Sequence, residues 1–223
     1  MNSDKRICIV SGYYGNGKTE FALNYAISMA SKDIKIAIAD LDFVNPYFRS
    51  REKEELLAKH GVRLISSNIK ESGSDLPAIS GEVSAVINDL STRVVLDVGG
   101  DASGARVLGS HKNHLTQGQY DMFYVINANR PENSTAEGVI NNIKEIEESA
   151  RAKFTGLVNN THLLQYTTVE DVVKGQRICT NVSEITKLPI KYIVASKIIT
   201  EQLPKDLEGE ILPINISIRE AWM

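Results

Sequence analysis

The feature that most restricts how this 223-residue chain can fold is a glycine-rich turn between an apolar run and a helical pattern. Residues 12–19 read GYYGNGKT and match G-x-x-x-x-G-K-[ST] at every fixed position. Residues 7–10 before the turn have the composition of a buried strand. The apolar residues that recur at helical spacing after it are Phe21, Ala22, Tyr25, Ala26 and Met29. This order predicts a loop whose backbone amides surround a polyphosphate at a helix N-terminus.

The residues of this loop have separate expected roles. Lys18 can reach the β- and γ-phosphates and stabilise their charge, which makes it a candidate catalytic residue. Thr19 carries a hydroxyl of the kind that ligates Mg²⁺. A glycine turn without a ligand is the alternative, whereas a dinucleotide loop is disfavoured because Glu20 stands where the third glycine should be. The expected nucleotide-binding residues here are Gly12, Tyr13, Tyr14, Gly15, Asn16, Gly17, Lys18, Thr19 and Glu20.

Apolar runs alternate with helical patterns along most of the chain, as a parallel sheet covered by helices requires. The expected fold is α/β in three layers, a mostly parallel sheet with helices on both faces, in a single domain over residues 1–223. Further strands are predicted at residues 34–39, 62–65, 94–96, 120–126, 154–158 and 190–195, the last of these being the final parallel strand.

Capping signals and loops complete the expected layout. Ser134 with Glu137 and Thr168 with Asp171 each form the S/T-x-x-acid pattern of a capping box, so a helix is predicted to begin at each pair. The polar stretch 70–74 and the glycine- and serine-rich segment 99–119 are expected to be mobile loops.

Acidic residues stand where two of the predicted strands end. Asp40 and Asp42 finish one strand and Asp97 finishes another, so in a parallel sheet all three should point to the carboxyl edge, beside the glycine loop. Asp97 is expected to hold Mg²⁺ through water, with Asp40 and Thr19 as further metal candidates. A plain turn-forming role for these acids is the alternative.

Together, the loop and the acids resemble the MinD/ParA/CooC-type ATPases of the P-loop class, which carry the CobQ/CobB/MinD/ParA nucleotide-binding domain, over most of the chain. In that family a strand ending in D-x-D follows the phosphate loop, and a D-x-x-G strand end follows later. Here those places carry DLD at residues 40–42 and DVGG at residues 97–100. The resemblance implies the fold of that class, an ATPase activity with ATP, ADP and Mg²⁺ as ligands, and use of the nucleotide as a switch.

The resemblance also implies individual roles. Asp42 would orient the attacking water, Thr19 and Asp97 would serve Mg²⁺, and a strand-end asparagine would read adenine. Asn159 is the best match for that asparagine, with a turn residue as the alternative. The guanine pattern N-K-x-D is absent because residues 159–162 read NNTH, so ATP is favoured over GTP.

The chain departs from the family at several places. Tyr13 replaces the signature lysine that reaches a partner's nucleotide, which weakens the case for a homodimer across ATP. Glu20 replaces a second threonine near the expected α-phosphate. The segment 211–223 lacks the basic amphipathic character of a membrane-binding tail. Cys8 and Cys179 stand too far apart for a paired metal site and are expected to be core residues.

Composition excludes several other classes of partner. With 28 acids against 25 bases the formal charge is −3, so no global positive field exists to gather nucleic acid. No run approaches the roughly 18 apolar residues of a membrane span. The sparse, unpaired cysteines are typical of a reducing cytoplasm.

The leading hypothesis is therefore a cytoplasmic Mg²⁺-dependent ATPase that acts as a nucleotide-controlled switch for an unknown protein client. One alternative is an ATP-dependent ligase of the dethiobiotin-synthetase or cobyrinate-amidating kind, for which Lys35, Arg49 and Arg51 are the candidate acceptor-site residues. Another is a nucleotide-binding regulator that does not hydrolyse ATP.

Two further groups could carry chemistry. His111 and His114 could share a metal if a helix formed, although a solvated polar loop is the plainer interpretation. His60 and His162 have the setting of ordinary helix-end and loop residues. Residues 47–49, which read YFR, could form a partner-binding patch or pack under a neighbouring helix.

Overall fold

The structure is a computed structural model that describes residues 4–30, 34–42, 51–65, 75–111, 115–116 and 118–216. Its strands are β1 (Ile7–Ser11), β2 (Ile36–Leu41), β3 (Val62–Ile65), β4 (Arg93–Val98), β5 (Tyr120–Ile126), β6 (Gly156–Asn159), β7 (Ile190–Ser196) and β8 (Glu210–Ile214). Its α-helices are α1 (Lys18–Ala30), α2 (Arg51–Lys59), α3 (Asp75–Asn88), α4 (Ala102–Ala105), α5 (Ala136–Ala150), α6 (Val169–Thr186) and α7 (Lys197–Thr200). Short 3₁₀ turns lie at Arg106–His111, Pro131–Asn133 and Leu164–Tyr166.

All the strands belong to one sheet, in the order β3-β2-β4-β1-β5-β6-β7-β8, and every pairing between them is parallel. The sheet is buried on both faces, because successive side chains of a strand point in opposite directions. In β1, Ile7 and Ile9 belong to one apolar cluster, and Cys8 and Val10 belong to the other. The predicted three-layer α/β architecture is confirmed.

The helices divide between the two faces. Apolar residues of α1 and α2 pack in the cluster that contains Cys8, whereas α3, α4, α5 and α6 contribute to the cluster that contains Ile9. Cys8 and Cys179 are both buried thiols, as expected of core residues. Within the described ranges, none of the helices combines the length and the hydropathy needed to cross a bilayer.

The strand order places a topological switch point at β1. The chain leaves β1 and winds to β2 and β4 on one side, and later to β5, β6 and β7 on the other. Open parallel sheets bind ligands at the carboxyl edge where the winding reverses. The loop at residues 12–17 lies at that point, directly between β1 and α1.

One prediction about the sheet is wrong. The strand at residues 190–195 is not the last, because β8 pairs in parallel with β7 from Tyr192 with Glu210 to Ser196 with Ile214. Of the five residues of β8 only Ile214 is buried, and the strand contains Pro213. An edge strand tolerates proline and needs little apolar sequence, so the pattern that identifies buried strands misses it.

One of the two capping predictions is also wrong. Thr168 and Asp171 form the expected reciprocal capping box at α6. At α5, however, the N-cap is Thr135, whose side chain accepts from the amide of Gly138 at 3.1 Å. Ser134 instead donates its hydroxyl to Pro131 O at 2.7 Å, because the 3₁₀ turn before the helix takes up that residue.

The segment expected to be a mobile loop after Asp97 contains structure. It holds α4 and a 3₁₀ turn, and Ala105 and Leu108 are buried in the core. Short helical turns carry too few apolar residues to give a periodic signal, so this prediction is corrected. The other predicted loop, at residues 70–74, lies outside the described residues.

Candidate functional site

The glycine loop has a backbone that requires glycine. Gly12, Gly15 and Gly17 have φ values of 145°, 77° and 78°, a region that side-chain-bearing residues rarely occupy. A Cβ added to Gly12 would lie 2.5 Å from Val125 O, and one added to Gly17 would lie 2.4 Å from Asn160 Nδ2. The loop is therefore held tightly against the ends of β5 and β6.

Asn16 fixes the loop from inside. It is fully buried, and its Nδ2 donates to Val125 O at 2.7 Å and to Asn133 Oδ1 at 2.8 Å. Its backbone amide donates to Tyr13 O at 3.2 Å, and its carbonyl accepts from Asn160 Nδ2 at 2.8 Å. Asn16 thus acts within the loop, while the exposed Tyr14 lies at the mouth of the cleft beside it.

Lys18 and Thr19 form the first turn of α1, where the helix dipole favours an anion. Both are buried, and Lys18 Nζ lies 3.5 Å from Tyr13 O. A Cβ added to Gly100 would lie 3.1 Å from Lys18 Nζ and 1.9 Å from Gly12 O. The ammonium group therefore lies at the junction between the loop and the segment that follows β4.

The three strand-end acids come together as predicted. Asp40 on β2 pairs in register with Asp97 on β4, and Asp42 lies two positions beyond Asp40, hence on the same face. Asp40 Oδ1 accepts from the Asp42 amide at 3.1 Å, which is a turn bond of the kind expected from the alternative interpretation. A Cβ added to Gly99 would lie 3.6 Å from Asp42 Oδ1.

Asp97 has the most perturbed environment of these acids. Burial raises its pKa from 3.8 to about 7; the Thr19 hydroxyl and the Lys18 ammonium lower the pKa, and Asp42 raises it. Both carboxyl oxygens are buried, and neither has a hydrogen-bond partner of good geometry among the described residues. A buried acid beside a hydroxyl and a cation is poised to receive a positively charged ligand.

The donor set fits Mg²⁺ better than a metal held by protein groups alone. Within the described ranges, no three His, Cys, Asp or Glu side chains converge on a point where they could hold a metal. Mg²⁺ in phosphate sites usually needs only one or two protein ligands, because phosphate oxygens and waters complete its shell. Thr19 and Asp97 meet that requirement, with Asp40 one strand away.

A cleft extends from the loop along the carboxyl edge of the sheet. Lys18, Thr19 and Asp42 line its polar end, and Val194 and Ile214 contribute apolar walls at the other.

The apolar wall of the cleft is tied to α1. Asn24 Nδ2 donates to Asn215 O at 3.1 Å, and the Asn215 amide donates back to Asn24 Oδ1 at 3.0 Å. Ile214 and Ile216, on either side of Asn215, both line the cleft. The strand missed by sequence reasoning therefore builds part of the site.

Asn159 lies where it cannot read a base, which corrects the expectation for that residue. It is fully buried, and its Nδ2 donates to Val172 O at 2.9 Å and to Gln176 Oε1 at 3.1 Å. Its Oδ1 accepts from the Thr161 amide at 3.2 Å. The amide is therefore committed to α6, and the next residue, Asn160, lines the cleft instead.

Arg130 and His162 also line the cleft and were not singled out for it from the sequence. Arg130 Nε donates to Gly15 O at 3.1 Å. A Cβ added to Gly17 would lie 3.1 Å from His162 Nε2. Both residues follow strands whose ends lie against the loop, β5 and β6, so their position after a strand end was the available signal.

Several other candidates lie away from this site. His111 is buried, with Nδ1 3.4 Å from Ser84 Oγ, so it does not belong to a solvated loop. Lys35 precedes β2 and lies at the amino edge of the sheet, opposite the cleft, so it cannot serve an acceptor pocket there. His114, residues 47–49 and the side chain of Arg51 lie outside the described part of the chain.

Comparison with known proteins agrees with this architecture. Neither a protein-family model nor the sequence of a curated protein matches the chain. Among solved structures, FtsY from Mycoplasma mycoides is 18% identical with a TM-score of 0.59, covering 88% of this chain and 63% of its own. FtsY from Thermotoga maritima is 18% identical with a TM-score of 0.62, covering 86% of this chain and 62% of its own. The signal recognition particle receptor FtsY from Elizabethkingia anophelis is 17% identical with a TM-score of 0.60, covering 94% of this chain and 63% of its own.

The fold is that of a P-loop NTPase. The chain spans less than two thirds of the length of each of these FtsY structures. At these identities the likeness concerns the fold alone, so the finer resemblance of this P-loop NTPase fold to the MinD/ParA/CooC type stays a prediction.

Proposed function

We propose that this chain binds a purine nucleoside triphosphate with Mg²⁺, hydrolyses it slowly, and uses the bound nucleotide as a switch. The observation that carries the proposal is the buried Asp97 carboxylate, which lies beside Lys18 and Thr19 at the end of a loop built on three positive-φ glycines. This combination provides a cradle for anions next to an acid suited to a divalent cation.

Thr19 and Asp97 would hold the metal, with Asp97 acting through water. When bound, Mg²⁺ would neutralise charge on the phosphate oxygens and so favour attack at phosphorus. The Lys18 ammonium and the Thr19 hydroxyl lower the pKa of Asp97 against the burial that raises it, and so favour the ionised carboxylate that a cation needs.

The chain's own groups would supply the remaining chemistry. Lys18 and the backbone amides of the loop would bind the phosphates and stabilise the charge that develops on them. Asp42 lines the cleft near this end, so we assign it the placing of the attacking water. The segment from Gly99 contacts both the loop and Asp42, so its position would depend on the phosphate present.

We assign adenine as the preferred base. The only carboxylates among the described lining residues are Glu20 and Asp42, which lie at the helix start and at the phosphate end. Guanine presents N–H donors that favour an acidic partner, whereas adenine presents an exocyclic amine and ring acceptors. Because Asn160 donates its Nδ2 hydrogens to Asn16 O, its Oδ1 is the atom suited to accept from that amine.

Guanine is the second candidate, since an FtsY structure from Elizabethkingia anophelis that is 20% identical, with a TM-score of 0.54, was solved with GDP. Calorimetry with ATP and with GTP, each with Mg²⁺, separates the two. Tighter binding of ATP supports our assignment, and tighter binding of GTP contradicts it. No binding of either nucleotide overturns the whole proposal.

Hydrolysis is tested by phosphate release in the wild type, Lys18→Ala, Asp42→Asn and an exposed control, Lys205→Ala. We expect Lys18→Ala to lose nucleotide binding, and Asp42→Asn to bind nucleotide but to release phosphate at least about tenfold more slowly. The control should match the wild type. Unchanged rates in both site variants would remove the mechanism, and binding without hydrolysis in the wild type would identify a regulator.

The switch is tested by hydrogen exchange at residues 99–105 with ADP and with a non-hydrolysable ATP analogue. Different protection in the two states supports switching, and identical protection argues against it. Light scattering in the same two states tests whether the analogue produces a homodimer. Phosphate release that requires an added carboxylic acid would favour the ligase alternative.

A further inference from the structure

We propose that Arg130 binds the polyphosphate of the nucleotide directly, as a second cation supplied by the chain itself beside Lys18. This inference rests on the proposed function, because it concerns the same cleft. Arg130 follows β5, which is the neighbour of β1 on the side away from Asp97. The two cations would therefore reach the phosphates from different strands.

The guanidinium group lies against the loop. Arg130 Nε donates to Gly15 O at 3.1 Å. A Cβ added to Gly15 would lie 2.9 Å from Arg130 Cζ and 3.0 Å from Nη2, so the guanidinium group lies directly against the loop at this position. Gly15 also has a φ of 77°, so the loop favours glycine here because of its backbone conformation.

The remaining donors of the side chain are suited to an anionic ligand. Nε is used by the loop, and among the described residues neither Nη group donates to an acceptor and no carboxylate pairs with Arg130. Arg130 and Lys18 are the full cations among the described lining residues, against the acids Glu20 and Asp42. Without Arg130, acids would outnumber fixed cations in a cleft built for a polyanion. An arginine fork with free Nη groups matches phosphate oxygens in geometry and charge.

The backbone around Arg130 holds it in place. The Arg130 amide donates to Asn127 O at 2.9 Å, and its carbonyl accepts from the Asn133 amide at 3.0 Å. The preceding residue, Asn129, donates to Asp171 Oδ1 at 2.9 Å, which ties the turn to the start of α6. With its backbone fixed in this way and its Nε bonded to Gly15 O, the side chain loses less entropy when a ligand binds.

Arg130→Gln tests the inference because glutamine places an N–H donor where Arg130 has Nε and removes both Nη groups. The loop contact to Gly15 can then persist while the charge is lost. Arg130→Lys restores a charge, and Arg177→Gln on the exposed side of α6 is the matched control. The probes are ATP, ADP and adenosine, measured by calorimetry or ligand-observed NMR, with urea unfolding as the check on folding.

We expect Arg130→Gln to weaken ATP and ADP binding by about 10- to 100-fold, which is the size of one or two lost charge-assisted hydrogen bonds. Adenosine affinity should stay unchanged, Arg130→Lys should recover part of the loss, and Arg177→Gln should match the wild type. ATP affinity that is unchanged in Arg130→Gln would mean that the side chain only supports the loop. An equal loss for adenosine would place Arg130 at the base or sugar. Either result overturns this inference alone, whereas a wild type without affinity for nucleotide overturns the proposed function and this inference with it.

Discussion

Replacing Asp97 by asparagine should stabilise the protein in the absence of nucleotide and metal. Burial raises the pKa of Asp97 from 3.8 to about 7, so the folded state holds a proton there that the unfolded chain has already released. One pKa unit corresponds to about 1.36 kcal/mol, and the shift of roughly three units therefore lowers the free energy of unfolding by about 4 kcal/mol above pH 7. The side-chain amide of asparagine does not titrate, so the Asp97→Asn variant does not lose this stability.

The sign of the pH dependence follows from the proton count. Between the unfolded pKa near 4 and the folded pKa near 7, the folded state binds more protons, so stability falls as pH rises. The difference in unfolding free energy between Asp97→Asn and the wild type should accordingly grow from near zero at pH 4 to about 4 kcal/mol at pH 8.

Urea unfolding at several pH values in EDTA measures this difference directly, provided that the m-value stays constant. The exposed carboxylate variant Asp206→Asn is the control and should show no such trend. Adding Mg²⁺ and nucleotide should then raise the stability of the wild type but much less that of Asp97→Asn, because the ligand binds only the folded state with its metal contact intact. A wild type that gains stability relative to Asp97→Asn as pH rises would refute the reasoning.

Two further substitutions test the geometry of the site. Gly100→Ala should destabilise the protein by about 1–3 kcal/mol in urea unfolding, because the new Cβ would lie 1.9 Å from Gly12 O. Gly109→Ala is the control, because a Cβ there meets nothing within 4 Å, and it should change stability by less than about 0.5 kcal/mol. Equal effects at the two glycines would show that the close approach of Gly100 to Gly12 does not restrict the residue at that position. Thr168→Ala should lower the unfolding free energy by about 1 kcal/mol, since it removes the hydroxyl that accepts from the Asp171 amide and leaves only the bond from the amide of residue 168 to Asp171 Oδ2; an unchanged urea midpoint would argue against the cap.

The sequence was most informative where residue type and backbone geometry are tightly linked. The glycine loop could be placed because a strand, a turn with positive φ and a helix start each leave a separate signature. Asp40 and Asp97 could be brought together because parallel strands share one carboxyl edge.

The sequence did not identify the correct residue where the prediction depended on choosing between two neighbouring positions at the end of a strand. Asn159 and Asn160 are both amides after the same apolar run, but neighbouring residues at a strand end point in different directions. One is committed to α6 by Val172 O, and the other reaches the cleft. The sequence pattern does not show which of two identical neighbouring side chains faces the cleft. In the same way, it does not show which of the two adjacent hydroxyl residues before α5, Ser134 or Thr135, is the N-cap.

The close contact between Gly100 and Gly12 limits how the sequence of this protein can evolve. The two segments touch there through main-chain atoms of two glycines, so neither residue of this contact has a side chain that could be exchanged for a larger or smaller one. The coupling between the movements of the two segments can therefore be altered only through surrounding residues. Ser149 is one example, because its hydroxyl donates to Ala102 O just beyond the junction. Variation among relatives that differ in nucleotide response should therefore gather on α5 rather than in the glycine segments themselves.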